Sequence, residues 1–233
     1  MTFQIIKHLC RTGCNVGGLI SEFAFVPPPP SYYIEFESDE EGGDGIQSNG
    51  KITIDPQYQP MEISGRLEPK IVRIRKKGCD VPVIFLRKTG ATKTLLFSHG
   101  NAVDLGGMWN RFCDMAETLN VNIVGYDYTG YGASLAAREQ KPSEAQIYRD
   151  IILVARWIID IGIVIDSKTE LILYGQSIGS VPSCFLASGG YGVSCTDFIM
   201  CRDHSASCTP ELPEVAGLII HSGFQSGLRL FTH

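Results

Sequence analysis

The sequence predicts an α/β fold in which a mostly parallel sheet carries helices on both faces. From about residue 70 onward, short apolar segments alternate with segments of helical periodicity. The apolar segments are continuous rather than alternating in polarity, which is typical of parallel strands that are buried on both faces. Functional groups in such sheets gather at the carboxyl ends of the strands, so the loops that follow the strands are the first place to look for a site.

Three strands are predicted at the start of this regular region. Ile71–Arg75 and Val81–Arg87 are apolar segments on either side of a turn at Gly78–Asp80. Thr94–Ser98 is a shorter apolar strand that leads into a loop beginning at His99.

Helices and strands then alternate to the end of the chain. Residues 107–119 place apolar side chains at helical spacing, and residues 143–159 do the same after a proline at the position before the helix. Residues 178–188 are predicted as a third helix. The intervening strands are Val121–Tyr126, Leu171–Tyr174 and Gly217–Ile220.

Composition and charge narrow the function classes. The 233 residues are 44% hydrophobic and 19% charged, as in an ordinary globular domain. A net charge of −5 gives no electrostatic reason to expect a nucleic-acid partner. No apolar run of about 18 residues is present, so a spanning helix is not expected.

The chain divides at about residue 50. Residues 1–50 are interpreted as an N-terminal arm and an acidic, Gly-rich linker, partly disordered, with the Pro27–Pro30 run stiffening the chain between them. Residues 51–233 are interpreted as one α/β domain, with an insertion at about 189–214.

Eight cysteines are present, and no secretory signal precedes them, so most of them are expected to be reduced. Cys113 and Cys184 fall in helical patterns and are interpreted as core residues. Cys10 and Cys14 lie in the arm, which is either loosely packed or an interfacial segment that is S-acylated at these two positions. The insertion holds four potential zinc ligands, but their spacing lacks a C-x2-C pair and indicates a surface loop rather than a metal site. These are Cys195, Cys201, His204 and Cys208.

Residues 175–179, Gly-Gln-Ser-Ile-Gly, carry the strongest chemical signal. They match the Gly-x-Ser-x-Gly elbow, and a predicted strand enters the motif while a helix leaves it. Gly175 and Gly179 leave room for the neighbouring strand and helix around the Gln176-Ser177-Ile178 turn. Ser177 is therefore the predicted nucleophile, and the N–H of Ile178 is one predicted oxyanion donor.

Residues 98–102, Ser-His-Gly-Asn-Ala, are the second signal. In the elbow architecture the other oxyanion N–H comes from the loop after an earlier strand, so Asn101 or Ala102 is expected to supply it. Gly100 permits an unusual backbone conformation there. His99 is interpreted as a structural hydrogen-bonding residue.

Asp127 ends a predicted strand and is a tempting catalytic acid. It precedes the serine, however, whereas the elbow order is serine, then acid, then histidine. Asp127 is therefore interpreted as bracing its loop. No cofactor or metal is expected in this chemistry.

Three phrases together resemble the α/β-hydrolase domain-containing protein 17 family, the membrane-associated serine-hydrolase protein depalmitoylases. These sequence segments are residues 96–106, 126–134 and 173–182. The closely related type-13 hydrolase branch has the same arrangement of segments and is a second possible family. The resemblance implies an α/β-hydrolase fold that removes palmitoyl groups from S-acylated proteins. It also implies membrane attachment on the cytoplasmic side through acylated N-terminal cysteines.

The same resemblance places the catalytic Asp and His in loops beyond His233, so the sheet is expected to be incomplete at the C-terminus and this chain to be weak or inactive alone. A substitute triad is disfavoured. Its candidates would be Asp197, Asp203, His204, Glu211, Glu214, His221 and His233. Two alternatives stay open: another lipid esterase or peptidase-like hydrolase, and a truncated form that only binds.

Overall fold

The computed structural model describes residues 25–36, 45–63, 65–76, 78–134, 142–190 and 212–223. Within these ranges a seven-stranded sheet forms the centre of the molecule, and a two-stranded sheet accompanies it. The strands are β1 (Tyr32–Glu35), β2 (Gly45–Gln47), β3 (Lys51–Ile54), β4 (Leu67–Lys76), β5 (Cys79–Lys88), β6 (Thr94–Ser98), β7 (Asn122–Tyr126), β8 (Leu171–Gln176) and β9 (Gly217–His221). The helices are α1 (Leu105–Leu119), α2 (Glu144–Asp160), α3 (Ser167–Glu170) and α4 (Ser180–Ala187), with 3₁₀ turns at Pro56–Tyr58 and Ser177–Gly179.

The central sheet has the strand order β2-β4-β5-β7-β6-β8-β9. Strands β7, β6, β8 and β9 run parallel to one another, while β2, β4 and β5 join through antiparallel pairs. The crossovers between parallel strands pass through α1, α2 and α4. This architecture, together with the relatives described below, confirms the predicted fold class.

Helices cover both faces of the sheet. Successive residues of β6 belong to different hydrophobic cores: Leu95 packs in the core beneath α1, and Leu96 in the core shared by α2 and α4. Because strand side chains alternate between faces, a strand buried on both sides must be apolar throughout. This requirement explains the continuous apolar segments of the sequence.

The two long helices begin at capping side chains. Asp104 accepts a hydrogen bond from the N–H of Gly107 at 3.1 Å, and Ser143 accepts one from Gln146 at 3.2 Å. Each side chain satisfies a donor that has no partner inside the helix. Helix α1 ends at Asn120, which adopts a left-handed conformation with φ 53°.

The bounds of β6 match the prediction, and the other predicted elements are present with extended or shifted ends. The predicted helix over 178–188 is in fact a 3₁₀ turn followed by α4. The prediction missed β1, β2 and β3, and β2 lies in the segment that was interpreted as a linker. The division at residue 50 stays a prediction.

One cysteine assignment was wrong. Cys113 is buried on α1 as expected, but Cys184 is exposed on α4. The helical spacing of α4 turns Ser183 and Phe185 inward instead. Cys10, Cys14 and the four potential ligands of the insertion lie outside the described residues.

Over the described ranges, no helix combines the length and the hydropathy that crossing a bilayer requires.

Candidate active site

Ser177 occupies a tight corner between β8 and α4. Its φ is 52°, a left-handed conformation that residues other than glycine seldom adopt. The corner is held from the helix side, where the Ser180 hydroxyl donates a hydrogen bond to the Ser177 carbonyl oxygen at 2.6 Å. A strained backbone of this kind persists only when the surrounding structure enforces it, and it is common at reactive groups. The Ser177 hydroxyl makes no hydrogen bond with another described residue.

The two motif glycines stand where any side chain would collide with the main chain. A Cβ on Gly175 would lie 2.6 Å from the carbonyl oxygen of Gly179. A Cβ on Gly179 would lie 2.0 Å from the carbonyl oxygen of Ser98, the last residue of β6. The elbow is thus packed directly against the strand that carries the second predicted loop.

The loop of residues 98–104, called the oxyanion loop below, lies beside the serine. A Cβ on Gly100 would be 3.9 Å from the Cβ of Ser177. Because β6 and β8 are parallel neighbours, with Ser98 paired to Gly175, both loops leave the same edge of the sheet. The structure therefore brings together the serine and the loop that was predicted to serve it.

The predicted oxyanion donors differ in their surroundings. Ile178 is buried and is the second residue of the 3₁₀ turn that Ser177 begins, where a main-chain N–H has no intrahelical acceptor. Asn101 is half-buried and Ala102 is exposed. Next to them, Gln176 is half-buried, and its Oε1 is a buried atom with no hydrogen-bond partner in the described part of the chain.

His99 is a buried support of the oxyanion loop. Its Nδ1 lies 2.7 Å from the carbonyl oxygen of Gly100, and since a carbonyl only accepts, Nδ1 carries the proton. The ring packs against Tyr128 at 4.4 Å between centroids, and the Tyr128 hydroxyl donates to the His99 carbonyl at 2.7 Å. His99 therefore shapes the loop from inside.

Asp127 stands behind His99. One oxygen, Oδ1, lies 3.1 Å from His99 Nε2, a contact that is not aligned as a hydrogen bond and is an ion pair when both ring nitrogens carry a proton. The carboxylate also accepts hydrogen bonds from the N–H of Leu105, at 3.1 Å, and from the hydroxyl of Tyr32. Burial raises the pKa of Asp127, and the contact with His99 opposes that rise. These contacts agree with the loop-bracing interpretation.

A second buried carboxylate, Asp150 on α2, was missed by the sequence analysis. It accepts hydrogen bonds from the main-chain N–H and the hydroxyl of Thr129, both at 2.8 Å, and from the Gln146 amide at 3.0 Å. Burial raises the pKa of Asp150 to about 6. One feature of the sequence could have indicated its role: Asp150 is a carboxylate, four residues after Gln146, on a helix face that is otherwise apolar. Its effect is to anchor the loop that follows Asp127.

Two of the substitute candidates, the possible base His221 and the possible acid Glu214, lie in the described part of the chain, and both have other partners. The Nδ1 atom of His221 lies 3.1 Å from the hydroxyl of Tyr174, and Glu214 forms an exposed ion pair with Lys168 at 2.9 Å. The remaining substitutes lie outside the described residues. Within the described ranges, no group of three or more His, Cys, Asp or Glu side chains could hold a metal ion.

Comparison with curated proteins finds relatives over nearly the whole chain. The α/β-hydrolase domain-containing protein aho-3 of Caenorhabditis elegans is 32% identical over 232 residues, which cover 96% of this chain and 58% of the worm protein. Human α/β-hydrolase domain-containing protein 17B is 35% identical over 218 residues, which cover 92% of this chain and 63% of the human protein. The chain thus spans about three fifths of the length of these relatives. No family model matches it.

Solved structures give a weaker likeness. A hormone-sensitive lipase from a metagenome library is 18% identical, with a TM-score of 0.45 over 72% of this chain and 48% of the lipase. An α/β-hydrolase from Vibrio vulnificus is also 18% identical, with a TM-score of 0.43 over 54% of this chain and 42% of the neighbour. At this level of similarity nothing about activity or substrate follows from either neighbour.

Proposed function

The chain belongs to the α/β-hydrolase domain-containing protein 17 family, and on that premise we propose that it carries the nucleophile and oxyanion site of a serine hydrolase. The observation that supports this most directly is the position of Ser177. It stands at a strained corner with φ 52°, and its Cβ is 3.9 Å from the point where a Cβ of Gly100 would be. In the elbow architecture a serine at such a corner lies beside the main-chain donors that stabilise the oxyanion.

The proposed chemistry is acyl transfer in two steps. A base removes the proton of the Ser177 hydroxyl, whose oxygen attacks the carbonyl carbon of an acyl ester or thioester. The negative charge on the carbonyl oxygen is stabilised by the N–H of Ile178 and by an N–H of Asn101 or Ala102. The C–O or C–S bond then breaks, the leaving group takes a proton, and water releases the acid from the serine.

The base and its acid partner are expected where the family resemblance places them, beyond His233. The chain spans 58% of the worm relative and 63% of the human one, so the activity of the whole protein is itself part of the proposal. A serine without its base retains only the contributions of the oxyanion site and of binding. We therefore expect the 233 residues alone to hydrolyse esters far more slowly than the full-length protein.

The proposed substrates are palmitoyl thioesters on S-acylated proteins, as the family resemblance implies. Attachment to the cytoplasmic side of a membrane through acylated Cys10 and Cys14 is part of the same proposal. Replacing both cysteines by serine should move the full-length protein from the membrane to the soluble fraction of cells and abolish its labelling by an alkynyl palmitate analogue. Retention of the membrane signal in the double variant would contradict this.

A fluorophosphonate probe tests the nucleophile directly. Full-length protein should be labelled at Ser177, as identified by peptide mass spectrometry, and Ser177→Ala should lose the label. Ser188→Ala is the matched control, because Ser188 directly follows α4 and its hydroxyl donates to the Phe185 carbonyl, at 2.9 Å. It should label like the wild type. An unlabelled wild type would refute the serine mechanism.

The substrate class requires a separate comparison. Hydrolysis of an S-palmitoyl peptide should exceed that of matched short-chain oxygen esters and of an unacylated peptide amide, and it should vanish in Ser177→Ala. A preference for glycerolipid esters or for peptide bonds would favour the other hydrolase classes. Retention of acylated peptide by wild type without turnover would favour a binding role.

A further inference from the structure

We propose that residues 25–32, here called the N-terminal brace, hold the oxyanion loop in its working position through the main-chain N–H of Val26. The inference rests on the proposed serine-hydrolase function, because it assigns the brace to that site. Val26 and Ser31 are then positioning residues of the reaction rather than part of a passive arm.

The two main-chain donors that flank the proline run of the brace are both bound to the oxyanion loop. Residues 27–30 are all proline and have no N–H. On one side of them, the N–H of Val26 donates to Asn101 Oδ1 at 2.8 Å; on the other, the N–H of Ser31 donates to Asp104 Oδ2 at 2.7 Å. The proline run therefore connects two contacts on one short loop, at residues 101 and 104.

Asn101 is held from two sides. Its Oδ1 accepts the Val26 N–H and also the hydroxyl of Tyr131, at 2.7 Å. Two donors on one oxygen, one from the brace and one from the loop after β7, fix the direction of the carboxamide. Because Asn101 is one of the two candidate donors on this loop, the contact fixes the main chain that would face the oxyanion.

Asp104 is the second contact and links the brace to α1. It accepts both the N–H and the hydroxyl of Ser31, and its Oδ1 also caps α1 at the N–H of Gly107, 3.1 Å away. The fit is close, since a Cβ on Gly106 would be 2.3 Å from the Ser31 hydroxyl oxygen. The main chain of Ser31 is held in turn by the N–H of Asp55, at 2.8 Å.

The physical effect of the brace is pre-organisation. An exposed loop would sample many backbone conformations, and an oxyanion donor displaced by about an ångström loses much of its effect on the transition state. Proline restricts the unbound brace to few conformations, so little entropy is lost when its two ends are held. The brace thus stiffens the loop without adding a group that touches substrate.

Val26→Pro tests the central contact, because proline has no N–H to donate. The Val26 side chain is 57% exposed, and Val26→Ala is the matched control that keeps the N–H. In full-length protein, we expect Val26→Pro to lower kcat for ester hydrolysis roughly tenfold with KM within about twofold, relative to Val26→Ala. Main-chain amides of residues 99–106 should exchange with deuterium faster in Val26→Pro than in Val26→Ala.

Ser31→Ala gives a second variant if Val26→Pro fails to fold. It removes the hydroxyl bond to Asp104 but keeps the Ser31 N–H, and we expect a smaller change in the same two measurements. Equal kcat and equal exchange in Val26→Pro and Val26→Ala would overturn the proposal. If the wild type proves inactive, the proposed function fails, but faster exchange at residues 99–106 would still support the brace.

Discussion

Gly179 of the elbow lies so close to Ser98, the last residue of β6, that a Cβ on the glycine would be 2.0 Å from the serine carbonyl oxygen. Its own backbone is unstrained, with φ −63° and ψ −15°, a conformation that alanine adopts readily. The second glycine of the motif is therefore required by packing alone. Its substitution should separate the elbow from the oxyanion loop.

Gly179→Ala is expected to destabilise the protein by about 1–3 kcal/mol, the usual cost of forcing atoms into a packed interior. It should also abolish fluorophosphonate labelling of Ser177. Thermal unfolding and probe labelling measure the two effects. Gly45→Ala is the matched control, because no atom of the described residues lies within 4 Å of the added Cβ, and it should leave both readouts nearly unchanged. A Gly179→Ala protein as stable as that control would contradict the packing.

The sequence predicted the centre of this site better than its surroundings. The Gly-x-Ser-x-Gly and His-Gly-Asn segments are local signals, since the steric needs of a sharp turn limit which residues can occupy it. The contacts of the brace are not local in sequence: Tyr32 donates a hydrogen bond to Asp127, 95 positions further along the chain. The periodicity of apolar residues does not indicate such a pair. Short strands such as β1 and β3 also lack the long apolar segments that revealed β6 and β8.

The hydroxyl of Tyr32 should contribute to stability, whereas that of its neighbour Tyr33 should not. Tyr32 is fully buried and donates to Asp127, while Tyr33 is 69% exposed. Tyr32→Phe leaves a buried carboxylate oxygen without this donor, and we expect a loss of about 1–3 kcal/mol in the free energy of unfolding. Tyr33→Phe should change it by less than about 0.5 kcal/mol. Urea unfolding of the two variants measures both changes. Equal losses of unfolding free energy would refute the role assigned to the Tyr32 hydroxyl.

Asp150 should make stability depend on pH between about 4 and 6. Burial raises its pKa from 3.8 to about 6, so the folded state binds a proton that the unfolded state has already released. The stabilising contribution is therefore complete below pH 4 and is lost as the pH rises through 6. A shift of this size corresponds to a change on the order of 3 kcal/mol in the free energy of unfolding.

Asp150→Asn removes one titrating group and leaves Asp127, whose pKa is also raised by burial, so the unfolding free energy of the variant should fall less with pH than that of the wild type. Asp114→Asn is the control, because Asp114 is exposed on α1 and its replacement should leave the fall in place. Denaturant titrations at pH 4, 5, 6 and 7 compare the three proteins. The assignment to Asp150 would be wrong if the fall were as large in Asp150→Asn as in the wild type.

The thiols of the described residues should differ in reactivity. Cys79 and Cys113 are buried, and burial raises their pKa to about 12 and about 11, so neither presents a thiolate near neutral pH. Cys184 is exposed on α4, although its pKa is also raised by partial burial. Among these three, iodoacetamide should modify Cys184 fastest in the folded protein.

Peptide mass spectrometry over a time course measures each cysteine separately, so thiols elsewhere in the chain do not interfere. In guanidinium chloride the three rates should converge, because unfolding removes the burial that sets them apart. Native modification of Cys79 or Cys113 at the rate of Cys184 would mean that α1 or the β4–β5 hairpin opens readily. The packing of both elements against the central sheet argues against such opening, since Cys113 shares a core with Phe112 and Cys79 one with Val81.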